Sequence, residues 1–153
     1  MNRDLDLLAY CGLYCGACSF KLAVDENERA HVLSLPDRYE KAKWAELESC
    51  PGCRSELAAG GDDPCKIRSC ARARGLGHCG ACTDFPCGDI SAFAGDGAPH
   101  HGETLANLKR LGELGEPAWI AEQQVRWTCS CGARRSWYVG TCPDCGTSLP
   151  DHL

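Results

Sequence analysis

The chain is 153 residues long, with 21 Asp and Glu against 16 Lys and Arg, a formal charge of −5 at pH 7, and 14 cysteines. That length suits one domain, or a small domain with an appended module, and the acidic balance argues against general nucleic-acid binding, which needs clustered Lys and Arg. Leu, Ile, Val and Phe together supply only 26 residues, under the ~20% below which apolar burial alone rarely holds a fold, so something else must stabilise this one.

The cysteines are that something else. The N-terminal run Met1 to Tyr10 has no apolar stretch long enough for a signal peptide, and nothing later approaches a membrane span. The expected compartment is therefore the cytoplasm, where thiols stay reduced and clustered ones bind metal. A structural zinc site contributes ~10–16 kcal/mol of apparent binding free energy, comparable with the whole net stability of an ordinary domain. Metal can replace the missing core.

Residues 1–10 form a short apolar lead-in with Leu5, Leu7, Leu8 and Tyr10. Cys11-Gly-Leu-Tyr-Cys15-Gly-Ala-Cys18 follows and reads as half of a metal site. Acidic residues at its start and Pro36 at its end predict a helix over Asp25 to Leu35. A second helix is predicted from about Asp37 to Ser49, carrying Tyr39, Trp44 and Leu47 and stopped by Pro51. It delivers the chain to Cys50-Pro-Gly-Cys53. Glu56 to Pro64, rich in Gly, Ala and Asp, reads as a loop, and Cys65 to Arg74 as a helix containing Cys70 and ending at Gly75 and Gly77. His78-Cys79-Gly-Ala-Cys82 then repeats the tetrapeptide of residues 15–18, and Asp84-Phe-Pro-Cys87 closes the cysteine-rich part.

The stretch Ala94 to Gly102, with His100 and His101, reads as a loop and a domain boundary. Leu105, Leu108, Leu111 and Leu114 recur every third residue, predicting a helix with a drifting apolar stripe that ends at Gly115. Pro117 suits the first turn of another helix bearing Trp119 and Ile120 and running toward Arg126. The two are expected to form a helical hairpin between metal modules.

The C-terminal Cys129-Ser-Cys131-Gly and Cys142-Pro-Asp-Cys145-Gly pairs bracket ten residues that include the strand-like Ser136-Trp-Tyr-Val139. This is the pattern of a zinc ribbon, in which each pair sits on a tight turn and the following glycine, Gly132 or Gly146, supplies a positive φ. One residue separates Cys129 from Cys131 where the usual knuckle has two. Only Arg126, Arg134 and Arg135 are basic here, against Asp144 and Asp151, so a structural cap fits better than a nucleic-acid reader.

Spacing does not divide the ten N-terminal cysteines into sites, because loop-closure cost grows slowly with length. The working division pairs Cys50 and Cys53 with Cys65 and Cys70, and Cys15 and Cys18 with Cys79 and Cys82, leaving Cys11 and Cys87 as alternates or a functional pair. Lys66, Arg68, Arg72 and Arg74 are read as hydrogen-bond donors that offset thiolate charge rather than as an anion patch. His78 adjoins Cys79 and is a possible extra ligand; His100 and His101 are candidates for a metal or substrate site.

Two enzymatic alternatives stand beside this reading. Cys11, Cys15 and Cys18 share the CxxxCxxC spacing of the iron–sulfur cluster in radical enzymes that use S-adenosylmethionine. Those enzymes resemble one another in building a partial barrel of strand and helix units, and four Val and three Ile with no such alternation do not supply one. Cys-Gly-Ala-Cys and Cys-Pro-Gly-Cys could be dithiol redox pairs, but such pairs need a strand leading into a helix at the reactive thiol.

With the motifs Cys11-Gly-Leu-Tyr-Cys-Gly-Ala-Cys18, Cys50-Pro-Gly-Cys53, Cys65-Lys-Ile-Arg-Ser-Cys70, Cys79-Gly-Ala-Cys82 and Asp84-Phe-Pro-Cys87 assembled, the chain resembles the cysteine-rich family DUF3795 over about residues 8–95. The resemblance implies a zinc-binding protein without assigned activity and brings no catalytic residues with it. The expectation is thus a small, mainly α, metal-stabilised cysteine-rich domain plus a C-terminal β zinc ribbon: a metal-binding domain over 1–95, a loop and helical hairpin over 96–126, and the ribbon over 127–150. Two or three zinc ions, with ligands drawn from all 14 cysteines, would serve structure and an unidentified protein partner, with no membrane role; an iron–sulfur cluster is the alternative cofactor.

Overall fold

The computed structural model describes residues 7–55 and 63–153. The expectations placed on Leu5 and on the loop over 56–62 lie outside the described residues. The fold is small and mainly helical. Its α-helices are α1 (Ser19–Glu26), α2 (Ala30–Leu33), α3 (Lys66–Ala73), α4 (Gly88–Ala94), α5 (Thr104–Leu114) and α6 (Glu116–Arg126), with single 3-10 turns at Cys15–Ala17, Trp44–Glu46, Cys79–Ala81 and Pro99–Glu103. None of them is long and apolar enough to cross a membrane.

The described residues fall into two compact units. One draws on Met1–Cys15 and Pro51–Glu122, so far as these are described, with Leu153; the other draws on Gly16–Cys50 and Gln123–His152.

The first unit is organised around α5. Thr104, Asn107, Leu108 and Leu111 are its buried positions, an i, i+3, i+4, i+7 face of a 3.6-residue helix. The four leucines spaced by three therefore drift off that face, and only Leu108 and Leu111 are fully covered. Ile90 from α4 and Trp119 from α6 are buried as completely, and the Tyr14 ring meets Trp119 edge-on at 6.2 Å. Asn107 Nδ2 donates to the Gly12 carbonyl at 2.9 Å, which satisfies a buried amide and holds the first cysteine loop on the helix. Gly115 ends α5 with φ +79°, and α6 begins at once. Arg110 on α5 reaches Glu122 on α6 at 2.9 Å.

The second unit packs Ala23, Val32 and Leu35 against Phe20, Tyr39, Trp44 and Tyr138. His31, fully buried on α2, sits between Ser136 Oγ at 2.9 Å and Glu26 Oε2 at 3.3 Å. Trp127 is 1% exposed, donates from Nε1 to Gln123 Oε1 at 3.2 Å, and lies under the guanidinium groups of both Arg126 and Arg135.

Three expectations need correction. The helix predicted over Asp25 to Leu35 is instead two: α1 starts earlier, at Ser19, and the chain breaks at Asn27, whose φ of +51° ends it. Asparagine tolerates that left-handed conformation better than most residues, and the acidic run around it imitates a helix start. The predicted helix over Asp37 to Ser49 reduces to one 3-10 turn, Trp44–Glu46.

The β zinc ribbon is the third. No strand occurs among the described residues, only single antiparallel bridges, of which Thr128 with Arg134 and Thr141 with Ser148 close the two cysteine turns. The reason is local. Ser136-Trp-Tyr-Val139 turns back on itself, with the Val139 N–H donating to the Ser136 carbonyl at 3.4 Å; Ser136, Trp137 and Val139 are buried, and Tyr138 packs against the α1–α2 core.

Candidate metal centre

The C-terminal segment folds into two tight turns, and each closes in the same way. The Cys129 N–H donates to the Ala133 carbonyl at 2.8 Å and Gly132 N–H to the Cys129 carbonyl at 2.8 Å; Cys142 N–H donates to Thr147 at 2.9 Å and Gly146 N–H to Cys142 at 2.9 Å. Gly132 and Gly146 take φ of +92° and +73°, which is why glycine stands after the second cysteine of each pair. The turns bring the Sγ atoms of Cys129, Cys131, Cys142 and Cys145 all within 4.8 Å of one another. Cys129 to Cys145 and Cys131 to Cys142 are both 3.7 Å apart. A zinc ion bonded to four thiolates at ~2.3 Å places neighbouring sulfurs about 3.8 Å apart. The group therefore has single-ion dimensions, and the short Cys129–Cys131 spacing does not disturb them.

Its electrostatics ask for a cation. The Thr147 hydroxyl lies 3.2 Å from Cys145 Sγ; together with the Thr147 N–H it holds the Cys145 thiol down at about 6. The Cys131 N–H likewise lowers Cys129. The Ala133 N–H favours a thiolate at Cys131, but desolvation and the three neighbouring sulfurs outweigh it and lift that thiol to about 12. Four sulfurs cannot all ionise side by side without a positive charge among them, and a divalent ion removes that conflict. Arg135, buried near Cys129 and donating to the Pro150 carbonyl at 2.6 Å, adds positive charge beside the group.

The ten N-terminal cysteines are placed differently. Among the described residues, no three of them satisfy the spacing that the C-terminal four do. In the first unit, desolvation pushes the Cys11 thiol up to about 12, with Cys53, Cys65 and Cys79 close enough to add to the rise. Cys53 Sγ also accepts the Tyr10 N–H at 3.3 Å. Desolvation lifts Cys79 to about 11, followed by the influence of Cys87, Cys70, Cys82 and Cys53. Cys70, Cys79, Cys82 and Cys87 line one cavity of about 260 Å³. The working division drawn from the sequence differs, placing Cys70 with Cys50, Cys53 and Cys65, and Cys79 and Cys82 with Cys15 and Cys18. In the second unit desolvation raises Cys18, the N–H groups of Lys21 and Phe20 oppose it, and Cys50 raises it further. Cys15 falls in the first unit with Cys11.

The three arginines of the cationic run are engaged within the first unit. Arg68 forks onto Asp63, Arg72 donates to the Cys53 and Ser55 carbonyls at 3.0 and 2.8 Å, and Arg74 Nη1 donates to Cys82 Sγ at 3.1 Å and Asp84 at 2.7 Å. His101 pairs with Asp96 at 2.8 Å and stacks on Phe93 at 3.9 Å, beside buried His100. His78 is half-buried, its burial lowers its pKa, and its Nδ1 has no hydrogen-bond partner among the described residues. His31 carries no signal in the sequence: a lone histidine in an acidic stretch gives no hint that a serine 105 residues later will meet it.

A small, mainly helical, cysteine-rich protein with a four-cysteine group of metal-binding geometry is what the fold and site define. The chain belongs to the family described as "Protein of unknown function (DUF3795)", which matches it over residues 7–92, more than half its length. The four-cysteine group lies beyond that stretch. No curated protein and no solved structure is found to match the chain.

Proposed function

We propose that this protein is a structural zinc-binding protein, in which Cys129, Cys131, Cys142 and Cys145 close around one zinc ion and the folded surface serves a protein partner. The observation that carries the reading is the pair of 3.7 Å sulfur separations within a four-thiol group. Thiolate ligands favour zinc over the harder divalent ions. Four protein ligands leave no open coordination position, so the role is structural and not hydrolytic. A scaffold fits better than a nucleic-acid reader because the basic residues nearby are engaged: Arg126 and Arg135 cover Trp127, and Arg134 pairs with Glu26 at 2.8 Å. Reduced thiols in such number suit the cytoplasm.

Metal analysis of the full chain, purified under reducing conditions and equilibrated with zinc, tests this. The Cys131→Ser and Cys145→Ser variants each lose one zinc relative to the unsubstituted chain, and the chelator-treated protein unfolds at lower urea. A zinc count that both variants leave unchanged would sink the reading.

A further inference from the structure

The cavity lined by Cys70, Cys79, Cys82 and Cys87 calls for a guest larger than one ion. α3 carries Cys70, and Arg74 follows as its C-cap four residues on. The 3-10 turn Cys79–Ala81 is capped by Cys82, whose N–H bonds back to the Cys79 carbonyl at 3.1 Å. Cys87 comes from the residue just before α4. Leu76, Phe85 and Ile90 supply the apolar part of the remaining wall, and Arg74, Asp84 and Asp89 its charged part.

Size decides the kind of guest. Zinc at ~2.3 Å from each sulfur draws four thiolates to about 3.8 Å from one another, as in the C-terminal group, and leaves no space among them. Here no three of the four sulfurs meet even the 4.8 Å spacing, and the four cysteines line a cavity of about 260 Å³ instead. That is well beyond the ~10–15 Å³ a single water needs. Four separated thiols on one cavity are the ligand set of a cubane iron–sulfur cluster, which takes one cysteine per iron.

The hydrogen bonding at the rim agrees. Cys82 Sγ accepts from Arg74 Nη1 at 3.1 Å and from the Asp84 N–H at 3.4 Å, and Asp84 in turn anchors Arg74 at 2.7 Å. Donors to a ligating sulfur and a fixed cation stabilise an anionic cluster and tune it. Cys70 is exposed while Cys79, Cys82 and Cys87 are half-buried, which leaves an open side for delivery.

We infer that Cys70, Cys79, Cys82 and Cys87 bind a [4Fe–4S] cluster, in a unit separate from the zinc group and with ligands other than the CxxxCxxC triplet. Loading is ligand exchange without net redox change: each cysteine thiol displaces one small thiolate from the assembled cluster, and its proton leaves on the departing thiol.

The test uses the full chain under anaerobic conditions with a synthetic [4Fe–4S] cluster capped by small thiolates, followed by desalting. The expected product carries about four iron and four sulfide per chain with charge-transfer absorption near ~400 nm. Alkylation and peptide mass mapping of this product should show Cys70, Cys79, Cys82 and Cys87 protected while the exposed Cys50 and Cys65 react. The Cys70→Ser/Cys87→Ser variant should retain no cluster. Loss of iron on desalting, protection mapping to a different set of cysteines, or a cluster that survives Cys70→Ser/Cys87→Ser would overturn the assignment. The mapping needs no substitution, so a variant that fails to fold does not obscure the answer, and the zinc count of the C-terminal group is read independently of it.

Discussion

His31 offers the sharpest quantitative test of how the second unit is held together. It is fully buried, and its Nδ1 lies 2.9 Å from the hydroxyl of Ser136, which is buried as completely. His31→Phe fills the space but cannot hydrogen-bond, so the Ser136 hydroxyl loses its imidazole partner in an apolar setting at a cost of about 1–3 kcal/mol. The second contact, to Glu26 at 3.3 Å, adds little, because that carboxylate is 30% exposed and such pairs are worth ~0–1 kcal/mol. His31→Ala also opens a void and should cost about 2–5 kcal/mol, the range for large-to-small core changes. Adding Ser136→Ala to His31→Phe removes the orphaned hydroxyl and should recover about 1 kcal/mol or more, since replacing both partners by apolar groups can be nearly neutral. Urea unfolding at fixed, saturating free zinc is the assay, because bound metal shifts apparent stability with its concentration. If the two substitutions are strictly additive, the hydrogen bond contributes nothing and the reasoning fails.

Further expectations follow from the geometry. A Cβ at Gly80 would lie 2.7 Å from the Leu108 carbonyl oxygen on α5, so Gly80→Ala should destabilise the first unit by roughly 1–3 kcal/mol; a denaturation midpoint equal to that of the unsubstituted chain would refute the close approach. Leu108→Ala, at 1% exposure, should cost about 2–5 kcal/mol, read from the same urea curves. Burial, then Arg135 and Arg126, lower the pKa of His152 below the usual 6.5. The fold thus binds fewer protons at this site than the unfolded chain, and the stability it gives is complete above 6.5 and diminishes as pH falls through 6.5 toward the folded value. Imidazole NMR titration of the zinc-loaded chain should place His152 below free histidine and move it up in Arg135→Gln; titration at or above the usual 6.5 would contradict the charge arrangement.

What the sequence discloses follows how local each signal is. α3, α5 and α6 are set by nearby punctuation, with Gly75, Gly115 and Pro117 marking where helices stop and start, and they form as expected. The C-terminal thiols assemble because each pair and its glycine complete their own turn; the expected strand rests on Trp137 to Val139, whose burial comes from a turn and not from a ladder. α4 gives no such signal, since Gly88-Asp-Ile-Ser-Ala-Phe-Ala is short and opens on glycine. Asn27 breaks a helix that its acidic neighbours imitate. The grouping of Cys70 with Cys79, Cys82 and Cys87 depends on α3 and α4 meeting across the first unit, and no spacing rule carries that information.

Zinc K-edge X-ray absorption on the full chain loaded with one equivalent of zinc reads the proposed four-thiolate site at the metal itself. The expected spectrum is a single shell of four sulfurs at about 2.3 Å, with the Cys145→Ser variant dropping to three. Nitrogen or oxygen in the first shell of the unsubstituted protein, or a spectrum that Cys145→Ser leaves unchanged, would contradict it.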